Sequence, residues 1–282
     1  MSDRSDVMAL IGAGPVGLGM AKALLEHKIP YEELEADREL GGNWLHGVYE
    51  TVHIISSRKT TEYADYPMPV DYPDFPSRQQ MLDYLRDYAQ KFQLTPHIQF
   101  NAKVVMALPL ADGRWELELA SGEKRIYKGL IVCNGHHWDR RFPKYPGEFA
   151  GEFMHSKDYR TPAQLIGQRV LVIGGGNSAC DIAAEAARVS KTARISLRRG
   201  YWFLPKTLFG NTFGGIDQAM GSSVGAADFL TDDLANCHRK IFGLRFAGAG
   251  PQNFRGAPDD QQRTALLHEA REDSAAKRYR LL

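Results

Sequence analysis

The 282-residue sequence predicts an α/β fold with two doubly wound lobes, the first carrying an antiparallel β meander. Three observations predict it. Val7 to Ile11 is a short apolar run that ends in Gly12-Ala13-Gly14-Pro15-Val16-Gly17, after which Met20, Ala21, Leu24 and Leu25 recur at helical spacing. The same strand, turn and helix return at Arg169 to Ile173, Gly174-Gly175-Gly176-Asn177-Ser178-Ala179 and the Ala-rich stretch from Cys180 to Val189. Between the two, from Ile98 to Val132, the pattern changes to short alternating runs broken at Asp112-Gly113 and Ser121-Gly122.

Taken in order, Val7 to Ile11 is the first strand, and Glu35 lies near the end of the second. Ser77 caps a helix, with Gln80 completing a capping box and Met81, Leu82, Leu85, Tyr88 and Ala89 forming its apolar face. In the meander Trp115, Leu117 and Leu119 share one face, and Leu130 to Val132 is a buried strand stopping at Asn134-Gly135. A Pro-rich connection through Pro143 and Pro146 leads out. We place the first lobe at 1–161, a second, partial lobe at 162–220, whose second strand is Ala193 to Leu197, and an atypical tail at 221–282, where hydrophobic periodicity fades.

With 43% hydrophobic and 24% charged residues, disordered and fibrous classes are excluded. Lys plus Arg is 35 and Asp plus Glu is 34, a net charge of +1, which gives no reason to expect nucleic acid or an anionic membrane as partner. Cys133, Cys180 and Cys237 are an odd number without ligand spacing, which predicts a reduced, cytoplasmic setting. The polar start, Met1 to Asp6, precedes only five apolar residues, so no secretion signal or membrane anchor is expected. His136-His137 lacks a third ligand, and no metal site is predicted.

Gly12 permits a tight turn, Gly14 lets the backbone approach a pyrophosphate and Gly17 allows close helix packing, with the helix N-terminus supplying amide N–H groups. Glu35 is placed to accept hydrogen bonds from ribose hydroxyls. These are the marks of a Rossmann-like, dinucleotide-binding lobe. Gly174, Gly176 and Ala179 repeat them, and Asn177 and Ser178 between them complete the predicted NADP-binding turn. Here the second strand ends in Arg198-Arg199 instead of an acid, and a guanidinium there clamps a 2′-phosphate, which favours NADPH over NADH.

With these motifs the chain resembles the flavin-containing monooxygenase family from about Val7 to about Met220. The first glycine motif matches that family's FAD site. Gly41-Gly42-Asn43-Trp44 matches its Gly-Gly-x-Trp segment, which places Gly42 and Trp44 along the flavin. Phe149, Gly151, His155 and Tyr159 fit its fingerprint Phe-x-Gly-x-x-x-His-x-x-x-aromatic. The resemblance implies that NADPH reduces FAD and that O2 forms a flavin C4a-hydroperoxide. One oxygen atom then passes to a small amine or sulfide, as in N,N-dimethylaniline monooxygenases. Tyr159 stands where related Baeyer-Villiger enzymes usually carry Trp, which favours N- or S-oxygenation and leaves Baeyer-Villiger chemistry as the alternative. Ile55 stands where the family often has an Asn near the flavin, leaving Ser56, Ser57 and Arg58 as polar candidates. His155 is read as a hydrogen-bonded hinge residue. Disulfide reductases, which also use two such lobes, need a redox-active cysteine pair that is lacking.

The family's chain returns after the NADP lobe to complete the FAD lobe, and this sequence stops before that return. Codons for Ala257 to Arg263 can be chosen so that reading one nucleotide later spells His-Pro-Thr-Ile-Asn-Ser, and Phe246 to Pro251 can likewise yield Leu-Pro-Glu-Pro-Asp-His, both resembling the family's continuation. The expectation is a frameshift between about Asp217 and Cys237, leaving Cys237, His238 and later residues without selected function. Two rival readings follow: a truncated, non-catalytic remnant or nucleotide-binding module, and an oxidase-like flavoprotein that releases H2O2.

Overall fold

A computed structural model describes residues 2–201, 206–208, 211–212 and 279–281. The chain forms two compact units, one of Met1–Pro146 with His155–Gln164, the other of Gly147–Met154 with Leu165–Leu282.

In the first unit β1 (Ser2–Ile11) runs into α1 (Pro15–Glu26) and β2 (Tyr31–Leu34). A helical turn (Asn43–Gly47), the one-turn helix α2 (Arg58–Thr61) and α3 (Arg78–Lys91) precede β3 (Ile98–Gln99), β4 (Val104–Pro109), β5 (Trp115–Leu119) and β6 (Lys124–Val132). The sheet order is β3-β2-β1-β6-β5-β4, with β3, β2, β1 and β6 parallel and β6, β5 and β4 antiparallel. Neighbouring residues of β1 face opposite sides. Leu10 joins Leu18, Ala21 and Leu24 of α1 and Met81, Tyr84, Leu85, Tyr88 and Ala89 of α3, while Ala9 joins Leu34, Leu117, Leu119 and Tyr127.

The start of α3 follows the sequence expectation. Ser77 Oγ accepts the Gln80 N–H at 3.3 Å, and Gln80 Oε1 accepts the Ser77 N–H at 2.9 Å, which satisfies two donors that a bare helix end leaves open. Two strands differ from it. Leu130 to Val132 is no separate strand but the end of β6, whose residues Lys124 to Tyr127 pair with β5 while Gly129 to Val132 lie beside Met8 to Ile11. The meander therefore extends the parallel sheet directly. β1 begins at Ser2, ahead of the apolar run, because its polar half lies beside Arg125 to Tyr127. Arg4 ion-pairs with Glu32 at 3.1 Å. Arg125, almost wholly buried, donates to Glu123 at 2.8 and 2.7 Å, to Glu32 at 3.1 Å and to Gln99 at 2.6 Å. A guanidinium tolerates burial only when so paired.

In the second unit β7 (Glu152–Phe153), β8 (Arg169–Ile173), α4 (Asn177–Val189) and β9 (Thr192–Ser196) are followed by the hairpin β10 (Thr207–Leu208) and β11 (Asn211–Thr212) and by β12 (Tyr279–Leu281). The sheet order is β7-β12-β8-β9, all parallel. β8 and β9 run in step from Arg169 beside Thr192 to Ile173 beside Ser196, so both strands end level. Although hydrophobic periodicity fades in the tail, Tyr279–Leu281 takes a strand position between β7 and β8. The readings on the rest of the tail, including the frameshift, fall within 213–278 and lie outside the described residues. No helix among the described residues is long and apolar enough to cross a membrane.

Candidate functional site

Three segments of the first unit converge at the end of β1. Gly12 has φ +97°, and a Cβ there would lie 2.7 Å from the Cys133 carbonyl oxygen at the end of β6. Gly14 caps α1, and Pro15 occupies the first helical position, where a missing N–H costs nothing. A Cβ on Gly17 would overlap the Gly12 carbonyl, so α1 rests directly on the turn. Gly42, with φ +56°, brings its backbone against that of Gly14: a Cβ on Gly42 would lie 3.1 Å from Gly14 Cα. Beside it the Gly41 N–H donates to the Ala13 carbonyl at 2.9 Å. Glu35 follows β2 and is buried, with Oε2 accepting the Ala13 N–H at 2.6 Å and Oε1 the Asp37 N–H at 2.8 Å. Trp44 packs on the core between α1 and α3.

Sequence reasoning passed over several residues that hold this place together. Arg78 donates to the Trp44 carbonyl at 3.1 Å and also to that of Leu45, pinning the Gly-Gly-x-Trp turn. Asn43 Nδ2 lies 3.3 Å from His137 Nδ1. Tyr63 donates its hydroxyl to the Pro15 carbonyl and stacks on Tyr88 with ring centroids 4.0 Å apart. Glu33 is fully buried behind the turn, its Oε1 3.1 Å from where a Gly17 Cβ would stand, and neither carboxyl oxygen has a hydrogen-bond partner among the described residues. Burial, reinforced by Glu35, pushes its carboxyl up to about 8. Burial and Glu33 in turn push the Cys133 thiol up.

The polar candidates around Ile55 are engaged locally. Ile55 itself is 62% exposed. Ser56 Oγ lies 2.7 Å from Thr61 Oγ1, Ser57 Oγ 3.1 Å from Thr60 Oγ1, and Arg58 donates to the Pro69 carbonyl. The fingerprint is divided between the units, with Phe149 and Gly151 in the second and His155 and Tyr159 in the first. His155 Nδ1 accepts the Lys157 N–H at 3.1 Å, and its ring meets Phe142 edge-on at 5.4 Å. Tyr159 is fully buried, tilted against Tyr49 at 5.7 Å. The His136 and His137 rings lie 3.8 Å apart, and no group of three or more His, Cys, Asp or Glu among the described residues could hold a metal.

In the second unit the turn after β8 is open as far as the described residues go. Gly174 has φ +120°, and its N–H donates to the Ser196 carbonyl at 2.9 Å. Among the described residues nothing lies within 4 Å of a Cβ built on Gly174 or Gly176, and Asn177 and Ser178 stand exposed in the first turn of α4. A Cβ on Gly175, by contrast, would lie 2.8 Å from both Leu197 Cδ2 and Tyr201 Cε2. Arg198 and Arg199 follow β9, both exposed, and the Arg199 guanidinium lies over the Tyr201 ring, 5.7 Å from its centre. These residues stand beyond the carboxyl ends of β8 and β9, the end at which open α/β sheets form their crevices.

The family model of flavin-binding monooxygenase-like proteins matches residues 5–214. Among curated relatives, flavin-containing monooxygenase 5 of Mus musculus is 35% identical over 217 residues, 70% of this chain and 41% of that protein. Dimethylaniline monooxygenase [N-oxide-forming] 2 of Oryctolagus cuniculus is 34% identical over 219 residues, 71% and 41% of the two chains. The chain thus spans about two fifths of the length of the curated relatives it matches. Similar solved structures include a flavin-containing monooxygenase from Stenotrophomonas maltophilia, with TM-score 0.65 and 31% identity over 73% of this chain and 61% of that one. S-allyl-L-cysteine S-oxygenase from Allium sativum has TM-score 0.65 and 26% identity over 74% and 54%. OTEMO in complex with FAD and NADP has TM-score 0.59 and 26% identity over 70% and 39%.

Proposed function

The chain belongs to the flavin-binding monooxygenase-like family, and from that premise we propose an FAD- and NADPH-dependent oxygenation that passes one atom of O2 to a soft nucleophile, an amine or a sulfide. The observation that carries this reading is the meeting of Gly14 and Gly42, backbone to backbone, beside an anchored Glu35. That place fits FAD. Gly12, Gly14 and Gly17 bring the N-terminal amides of α1 up to a pyrophosphate, Glu35 keeps lone pairs for ribose hydroxyls, and Gly42 and Trp44 line the flavin's side. The open turn at Gly174, Gly176, Asn177 and Ser178, with Arg198 and Arg199 beyond β9, fits NADPH.

When bound, FAD reduced by NADPH supplies the activation of O2. The chain's own residues bind, orient and exclude water. Arg78 keeps the Gly-Gly-x-Trp turn in place through the Trp44 and Leu45 carbonyls. Ser56, Ser57 and Arg58 steady the Ile55 segment through their local hydrogen bonds. His155, accepting from the Lys157 N–H, stiffens the fingerprint where the chain passes from one unit to the other. Tyr159, buried against Tyr49 where Baeyer-Villiger enzymes usually carry Trp, supports N- or S-oxygenation, as do relatives named for N-oxide formation and S-oxygenation. The free thiols of Cys133 and Cys180 are compatible with a reducing, cytoplasmic setting.

The test is a visible spectrum of the full chain desalted after adding FAD, followed by aerobic NADPH consumption with a tertiary amine, a thioether and a cyclic ketone. Retained flavin absorption with N-oxide or sulfoxide product is expected. Lactone from the ketone alone overturns the N- or S-oxygenation reading. NADPH loss indifferent to substrate, with H2O2 released, makes the protein an oxidase, and colourless protein without turnover makes it a remnant.

A further inference from the structure

We propose that Tyr201 is a positioning residue that gives the second unit its preference for a 2′-phosphorylated nucleotide by holding Arg199 beside the glycine turn. The inference rests on the reading of that turn as the NADPH site and names a residue that reading does not include.

Tyr201 has two neighbours at once. Its ring edge, Cε2 and Cζ, closes on Gly175, 2.8 and 3.1 Å from where a Cβ would stand, so a side chain there would displace the ring. Its face carries the Arg199 guanidinium at 5.7 Å, within the reach of a cation–π contact. Among the described residues Leu197 and Tyr201 close on Gly175, and nothing stands over Gly174 or Gly176, so the ring is a wall of the nucleotide site and not a plug. An exposed arginine otherwise samples many rotamers and loses that freedom on clamping a phosphate. The Tyr201 ring removes part of that loss in advance, and the gain reaches only nucleotides that carry the 2′-phosphate.

Calorimetric titration of the full chain with NADP+ and with NAD+ tests this on wild type, Tyr201→Ala, Tyr201→Phe, Arg199→Ala and the Tyr201→Ala/Arg199→Ala pair. Wild type is expected to prefer NADP+. Tyr201→Ala is expected to lower that preference about two- to fivefold through NADP+ alone, and Tyr201→Phe, which keeps the ring, to restore it. In the Arg199→Ala background Tyr201→Ala should change nothing further. A wild type that binds both nucleotides equally overturns the NADPH reading, and Tyr201 with it. An NADP+ preference that survives Tyr201→Ala overturns the role of Tyr201 alone. So does an equal loss for both nucleotides, or the same loss without Arg199, since either means that the ring merely supports the turn.

Discussion

Among the described residues Glu33 is a carboxyl without a hydrogen-bond partner, buried behind the first glycine turn. Its folded-state pKa is raised from 4.5 to about 8, so the folded protein holds a proton that the unfolded chain releases. The Glu33 contribution to stability is therefore full below pH 4.5 and falls as pH rises toward 8, by about 1.4 kcal/mol per pH unit where the difference is complete. Glu33→Gln removes this titration, and urea midpoints measured from pH 5 to 8 should lose most of their slope. The two glycine turns predict a second contrast. Gly17→Ala drives a methyl into the Gly12 carbonyl and should lower stability by about 3 kcal/mol or more, with loss of FAD binding. Gly176, at φ −74° with no described residue within 4 Å of a Cβ there, should accept alanine for less than about 1 kcal/mol in chemical denaturation, while the new methyl weakens NADP+ binding in titrations.

Each helix beside these turns is held by contacts whose removal can be read separately. Ser77→Ala deletes half of the α3 capping box and should cost about 1 kcal/mol in chemical denaturation. Tyr63→Phe releases the Pro15 carbonyl at the start of α1 and should cost a similar amount, about 1 kcal/mol, together with some FAD affinity. The α3 cap was legible in the sequence because its partners lie three residues apart, and so were α1, α4 and both glycine turns, whose periodicity and sterics are local. The first half of β1 was not. Ser2 to Asp6 reads as a polar lead-in, and only β6, more than a hundred residues on, makes it a strand. Within the site the same division holds. Gly12, Gly17 and Glu35 announce themselves by spacing, whereas Arg78, Tyr63 and Glu33 act through contacts that no local pattern records. Tyr201 lay two residues past Arg199, but its approach to Gly175 depends on β8 and β9 ending level.

At the scale of the whole molecule, the first unit's sheet closes on one side with the two-residue β3 and on the other with the longer β4. Val105, Met106 and Leu108 of β4 are exposed along that edge, which no other described strand pairs. Such an edge recruits other chains unless a charge interrupts it. Val105→Lys should reduce light scattering on concentration while changing stability by no more than about 0.5 kcal/mol. β6, which joins the parallel and antiparallel halves of this sheet, also sets a timetable. Ser2 to Arg4 pair with Arg125 to Tyr127, and Met8 to Ile11 with Gly129 to Val132. During synthesis at about 5–20 residues per second, the first strand waits on the order of ten seconds for its partner to be made. For that interval Leu10 and Ile11 lack one side of their sheet, and their apolar surface stays open to other chains until β6 is made.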